Sequence, residues 1–233
     1  MKGKEISTQD LTKLKKKAGI VYDRLIFQFG IPDWPVRPAL DELINTILSQ
    51  NTNDRNRDLA FGRLRSRFSS WEEVRDAPVE EVIECIRPAG LGNQKGPRIQ
   101  AILRRITEEA GELNLDFLRE WEPEKVRPWL MSFNGVGMKT ASIVMVFSLG
   151  IPAFPVDTHI FRVSGRLGLR PAMQKMTADQ AHEHLALLFP PENYGPAHIN
   201  LILLGRRICF ARNPNCRGCF LKDQCDFFQK IQA

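Results

Sequence analysis

Four of the five cysteines of this chain fall in one short run near its end: Cys209, Cys216, Cys219 and Cys225, spaced C-x6-C-x2-C-x5-C. Any fold the chain adopts must keep these thiols together, because so few residues separate them. Disulfides between such near neighbours would close only tiny loops, so the pattern reads as a metal site. Zinc and iron–sulfur are the two candidates. Structural zinc usually takes two C-x2-C-like pairs on separate knuckles. Here a single tight pair is flanked by one wider arm on each side. The wider arms suit the four corners of a cubane, and soft thiolates with no histidine among them fit a [4Fe–4S] cluster. The fifth cysteine, Cys85, lies on an apolar helical face and is expected to fill core.

At 233 residues the chain is long enough for one large domain or two small ones. Its net charge of +6 points mildly to a polyanionic partner. The basic residues are dispersed among acids, so charge alone does not decide for nucleic acid. The lysine run at Lys13, Lys15, Lys16 and Lys17 is followed by no long apolar stretch, which argues against a secretory signal. It reads as a solvated helix face. The most apolar window, 141–149, is too short to span a bilayer, so no membrane partner is expected. Reduced cysteines with no export signal imply a cytoplasmic compartment.

Helical periodicity dominates. Apolar residues fall at 40, 43, 44, 47 and 48, an amphipathic stripe. Residues 71–86, 98–110 and 178–189 read the same way. Convincing alternation is absent, and Pro and Gly punctuate the segments. The fold class is all-α, with a small metal-stapled C-terminal module.

A second strong signal is the run Phe133-Asn134-Gly135-Val136-Gly137-Met138-Lys139-Thr140-Ala141, set between two helical segments. Gly135 and Gly137 permit a tight turn with no side chains in the way. The free N–H groups at the start of the following helix then suit phosphate, a grip on nucleic-acid backbone that reads no sequence. Eighteen residues after Lys139 comes Val156-Asp157-Thr158-His159-Ile160-Phe161-Arg162-Val163. Asp157 has the chemistry of a helix N-cap. Lys139 and Asp157 thus begin two successive helices and could serve one cleft.

These residues resemble the helix–hairpin–helix, Gly/Pro–Asp superfamily of DNA glycosylases, most closely its endonuclease III branch. The hairpin, the V-D-T-H-I-F-R-V segment and the terminal cysteine run agree in order and spacing. Two further stretches, Leu48-Ser49-Gln50-Asn51-Thr52 and Gly90-Leu91-Gly92-Asn93-Gln94-Lys95, resemble the loops that carry the family's wedge residues. The resemblance implies a two-lobed architecture: a helical barrel over residues 33–151, and a cluster lobe built from 1–32 and 152–233, with the active site in the groove between them.

By the same resemblance, Lys139 is the nucleophile of a bifunctional glycosylase and Asp157 its carboxylate. Asn51 and Leu91 enter the duplex when a base is flipped out. Ser49 and Gln50 lie near the lesion pocket, and Gly135, Gly137 and His159 contact DNA. Cys209, Cys216, Cys219 and Cys225 ligate a [4Fe–4S] cluster, and Arg212 and Arg217 touch the backbone from the cluster loop. Two departures stand out. Phe133-Asn134 replaces the usual Leu-Pro before the hairpin glycine, and Asn51 stands where glutamine is commoner.

The chemistry expected is removal of oxidised pyrimidines from double-stranded DNA, and strand cleavage at abasic sites, by a monomer associated with the nucleoid. A stacked base cannot be reached, so it must be extruded at a cost of roughly a few kcal/mol. Lysine as a free amine can attack C1′ and form a Schiff base. A carboxylate can stabilise the cationic sugar that develops. Two alternatives remain at this stage: a monofunctional thymine or adenine mismatch glycosylase, which Lys139 disfavours, and a catalytically idle iron–sulfur DNA-binding module.

Overall fold

The structure, a computed structural model, describes residues 7–171 and 176–232. Every regular element among them is helical. The chain separates into two compact units. One combines Met1–Pro35 with Pro152–Ala233, and the other is Val36–Ile151. No helix among the described residues is long and apolar enough to cross a membrane.

The chain opens with α1 (Thr8–Phe29), started by Ser7, whose hydroxyl accepts the Asp10 amide at 3.1 Å. It then builds the second unit from α2 (Ala39–Ser49), α3 (Asp54–Arg67), α4 (Trp71–Asp76), α5 (Val79–Ile86), α6 (Gly92–Ala110), α7 (Pro123–Met131) and α8 (Met138–Val144). A single π-helical turn, Met145–Leu149, continues α8.

The expected stripe on α2 is only part of its burial. Glu42, Asn45 and Thr46 on its polar side are also buried, because α3, α6 and α8 enclose the helix. The polar side chains are accommodated by pairing: Arg37 reaches Glu42 at 3.2 Å and the Thr46 hydroxyl donates to the same carboxylate at 3.3 Å. Such partners are what make buried polar groups tolerable.

The single helix expected over 71–86 is two. Pro78 lacks an N–H and forces Ala77 into extended backbone (φ −63°, ψ 156°), ending α4. Gln100 on α6 donates to the exposed ends of the break, Val74 O at 2.9 Å and Ala77 O at 2.7 Å. Cys85 is half-buried beside Arg63, Arg67 and Glu84 rather than sealed in core.

The first unit is completed by α9 (Thr158–Leu167), α10 (Ala178–Ala186), α11 (Tyr194–Arg207) and α12 (Asp226–Gln232). A capping box between Thr177 and Gln180 starts α10. The element expected over 178–189 therefore stops three residues early, at Ala186. Here α11 packs on α9 and α1, and α12 packs on α9. The N-terminal helix belongs to this unit because it grips the cysteine loop. Arg24 forms a two-pronged pair with Asp223 and also donates to Phe220 O at 3.1 Å. That guanidinium holds the Asp223 carboxyl far below the usual carboxylate range. Lys17, from the run expected to be solvated, is half-buried and pairs with Asp226 at 2.6 Å.

Candidate functional site

In the second unit, α7 and α8 form the hairpin. Gly135 sits at φ +78°, which favours glycine, and the Arg98 guanidinium packs against its open face, 2.4 Å from where a Cβ would lie. Gly137, extended at φ −98° and ψ −177°, precedes α8 and offers no side chain to cap its first amides. Phe133, standing where leucine is usual, is buried at 3% exposure. Its ring meets Trp129 edge-on at 4.8 Å, and Arg105 stacks over it at 4.7 Å. Asn134 is exposed. The departure from Leu-Pro is therefore absorbed by an aromatic anchor.

Lys139 occupies the first turn of α8 and is half-buried. Among the described residues no hydrogen bond or ion pair engages its ammonium. Nearby on the same helix Ser142 is fully buried, and its hydroxyl has no hydrogen-bond partner.

Ser49 and Gln50 close α2. The Ser49 hydroxyl donates to Thr46 O at 2.7 Å. The Gln50 side-chain amide donates to Gly135 O at 2.9 Å, and its oxygen accepts from Arg98 at 3.2 Å. Gln50 is thus committed to the hairpin turn. Asn51 and Leu91 share a property that sequence does not display: both are left-handed, at φ 55° and φ 54°, and among described non-glycine residues only Asn213 joins them. For leucine this conformation costs on the order of 1–2 kcal/mol. Leu91 is 45% exposed despite being apolar.

In the first unit, Asp157 does cap α9. Its Oδ1 accepts the Ile160 amide at 2.7 Å. The side chain is half-buried, and its second oxygen accepts no hydrogen bond among the described residues. His159 lies on the same helix, its Nδ1 3.2 Å from Arg162 Nη2. A Cβ at Gly205 would lie 2.9 Å from that of His159, so glycine lets α11 approach.

The four cysteines follow α11. Cys209, Cys216, Cys219 and Cys225 all line one cavity, with Val163 and Leu204 on its apolar wall. No three His, Cys, Asp or Glu side chains among the described residues gather closely enough to hold a single metal ion. Burial pushes the Cys216, Cys219 and Cys225 thiols up, and the neighbouring thiols add to this. Four soft donors lining one cavity fit a cationic, thiophilic centre larger than one ion, which would offset the repulsion among their thiolates.

Sequence reasoning missed the residues that set this loop. Arg166 donates to Cys209 Sγ at 3.4 Å, to Phe210 O at 2.6 Å and to Ala211 O at 3.0 Å. Arg162 donates to Cys209 O at 3.1 and 3.0 Å. Both lie on the helix that Asp157 begins, one and two turns along, which is the only trace they leave in sequence. Arg212 and Arg217 are exposed on the loop, and no described carboxylate pairs with either.

The chain is similar to known proteins over most of its length. The family described as HhH-GPD superfamily base excision DNA repair protein matches residues 44–191. Endonuclease III of Thermotoga maritima is 36% identical over 188 residues, covering 81% of this chain and 83% of that protein. Endonuclease III of Sulfolobus acidocaldarius is 32% identical over 194 residues, covering 82% and 83%. A solved non-covalent endonuclease III–DNA complex superposes with a TM-score of 0.79 at 28% identity, covering 94% of this chain and 98% of that one.

Proposed function

This chain belongs to the HhH-GPD superfamily of base excision DNA repair proteins and is an endonuclease III-like DNA glycosylase, and we propose that it is bifunctional, removing oxidised pyrimidines from duplex DNA and then cleaving the strand. The observation that carries this reading is Lys139: a half-buried, unengaged amine in the first turn after an uncapped hairpin.

The chemistry proceeds from the side chains. Hairpin amides and the exposed Arg212 and Arg217 hold phosphates without reading bases. His159, on the helix that Asp157 begins, adds a polar contact to the backbone. Asn51 and Leu91 fill the space an extruded nucleotide leaves. Ser49 and Gln50 border the pocket that receives it. The Lys139 amine attacks C1′, the C1′–N bond breaks, and the base departs with a proton. The free oxygen of Asp157 stabilises positive charge on the sugar as it develops. Breaking of the C1′–O4′ bond, with O4′ taking a proton, then leaves a protonated Schiff base, which acidifies C2′; loss of that proton breaks the C3′–O3′ bond and expels the 3′ phosphate, and water then releases Lys139.

Cys209, Cys216, Cys219 and Cys225 would hold a [4Fe–4S] cluster. It would supply cross-linking of the loop that presents Arg212 and Arg217, and no step of the reaction runs through it. The protein acts as a monomer in the cytoplasm, on the nucleoid, with damaged duplex DNA as its partner.

The test is borohydride trapping on duplexes carrying either an oxidised pyrimidine or an abasic site. Wild type should give a covalent adduct and a nicked strand with both. Lys139→Gln, which keeps length but cannot form an imine, should give neither while binding DNA within about threefold of wild type. Strand cleavage by the glutamine variant at the parental rate would remove Lys139 as the nucleophile.

A further inference from the structure

Lys95 is 1% exposed, among the most buried large side chains in the protein. No described carboxylate pairs with it. Its ammonium donates instead to three backbone carbonyls: Leu48 O at 2.8 Å, Gln50 O at 2.7 Å and Ala89 O at 3.0 Å. These use all three N–H groups. An unpaired buried cation is costly, and an apolar side chain of similar volume would fill the same channel more cheaply. What the cation adds is geometry.

The three carbonyls belong to two separate segments, one at the end of α2 and the other ahead of α6. Leu48 and Gln50 lead into Asn51, while Ala89 leads through Gly90 into Leu91. The backbone amide of Lys95 also donates to Leu91 O at 2.9 Å. One residue therefore holds the chain on the approach to both exposed left-handed residues. The last four carbonyls of α2 show how much depends on it. Thr46 O takes the Ser49 hydroxyl, Ile47 O the Gln50 amide and Ser49 O the Thr52 amide. Leu48 O takes only Lys95. A cation at a helix C-terminus is also favoured by the helix dipole.

We propose that Lys95 is a positioning residue that ties the Asn51 loop to the Leu91 loop, so that the two side chains enter the duplex as a pre-set pair. The proposal rests on the reading above in which Asn51 and Leu91 act as wedges. Left-handed backbone at two non-glycine positions persists only where its surroundings over-determine it. Here the surroundings converge on one nitrogen.

The experiment compares single-turnover rates on a stacked oxidised pyrimidine and on a preformed abasic site, which is easier to extrude. Lys95→Met should lose about tenfold or more on the lesion and less than about threefold on the abasic site. Mismatches flanking the lesion, which open the stack in advance, should restore most of the rate. In a Leu91→Ala background, Lys95→Met should cost less than about twofold further, because the loss is already taken. Equal loss on both substrates, no recovery with mismatches, or additivity with Leu91→Ala would each overturn the proposal and leave Lys95 as packing. If Lys95→Met melts below the assay temperature, Lys95→Gln, neutral but still a donor, carries the same comparison. Wild type inactive on both substrates would sink the bifunctional reading. Active wild type with unaffected Lys95 variants would sink only this inference.

Discussion

Asp157 caps α9 and, in the reaction proposed above, also stabilises charge, and substitution can separate the two. Its Oδ1 caps α9 through the Ile160 amide at 2.7 Å, and its other oxygen is unengaged. Asparagine caps as well as aspartate, so Asp157→Asn keeps the cap and gives up only the charge at the helix N-terminus, about 0.3–1 kcal/mol. Alanine gives up both, about 1–2 kcal/mol in all. For a chain of 233 residues, each kcal/mol moves Tm by roughly 2–4 °C. Asp157→Ala should therefore melt about 2–8 °C low, and Asp157→Asn no more than about 4 °C low.

Activity should rank differently. If the carboxylate stabilises the cationic sugar as proposed, both variants should lose base excision by about 10²–10³-fold, the scale on which a single pre-organised electrostatic contact acts. Calorimetry together with single-turnover excision, at a temperature where both variants are folded, separates the two quantities. Should Asp157→Asn excise within about twofold of wild type, Asp157 is a helix cap and nothing more.

The purified protein should be brown, with broad absorbance near ~400 nm from iron bound by four thiolates; Cys219→Ser should lose the colour and much solubility, and stoichiometric zinc without iron after anaerobic purification would contradict the assignment. Binding to undamaged duplex should fall steeply with salt, and Arg212→Ala and Arg217→Ala should each reduce the slope of log K against log salt by about 1. Altered lesion preference with an unchanged slope would remove them as phosphate contacts. Burial, and then Arg98, pull the Lys95 ammonium from 10.5 to about 8. Below pH 8 both folded and unfolded chains carry that proton and the desolvation cost is fully present; between pH 8 and 10.5 the folded chain releases it first. Stability attributable to Lys95 should thus rise through that window by up to about 1.4 kcal/mol per pH unit, and denaturant titrations of Lys95→Met should lack the rise.

The hairpin and the cysteine run were legible in sequence because their physics is local. A turn at φ +78° needs glycine, and four thiols spread over so short a run cannot be far apart. The stripe on α2 was legible too, but the burial of its polar side was not, since that depends on three helices which enclose it. Helix α3 was missed because it has little apolar periodicity; its start is set by Asn53, whose side chain accepts the Asn56 amide at 2.9 Å. The split between α4 and α5 was written in Pro78 and was overridden by a periodicity that happens to stay in phase across it.

The residues that escaped have a common reason. Lys95, Arg162 and Arg166 are basic side chains whose partners are mainly main-chain carbonyls, and a carbonyl has no sequence signature. Gln50 is a case in point. By position it reads as a residue that touches the flipped nucleotide. In the fold its main-chain oxygen accepts from Lys95, its amide donates to the hairpin at Gly135, and its side-chain oxygen accepts from Arg98. Among the described residues of its loop, it alone bonds both to Lys95 and to the turn that precedes Lys139. Wedge loop and hairpin are therefore joined by short, directional bonds inside a single unit. If Asn51 and Leu91 act as wedges and Lys139 as the nucleophile, as proposed, these bonds couple their placement within one unit.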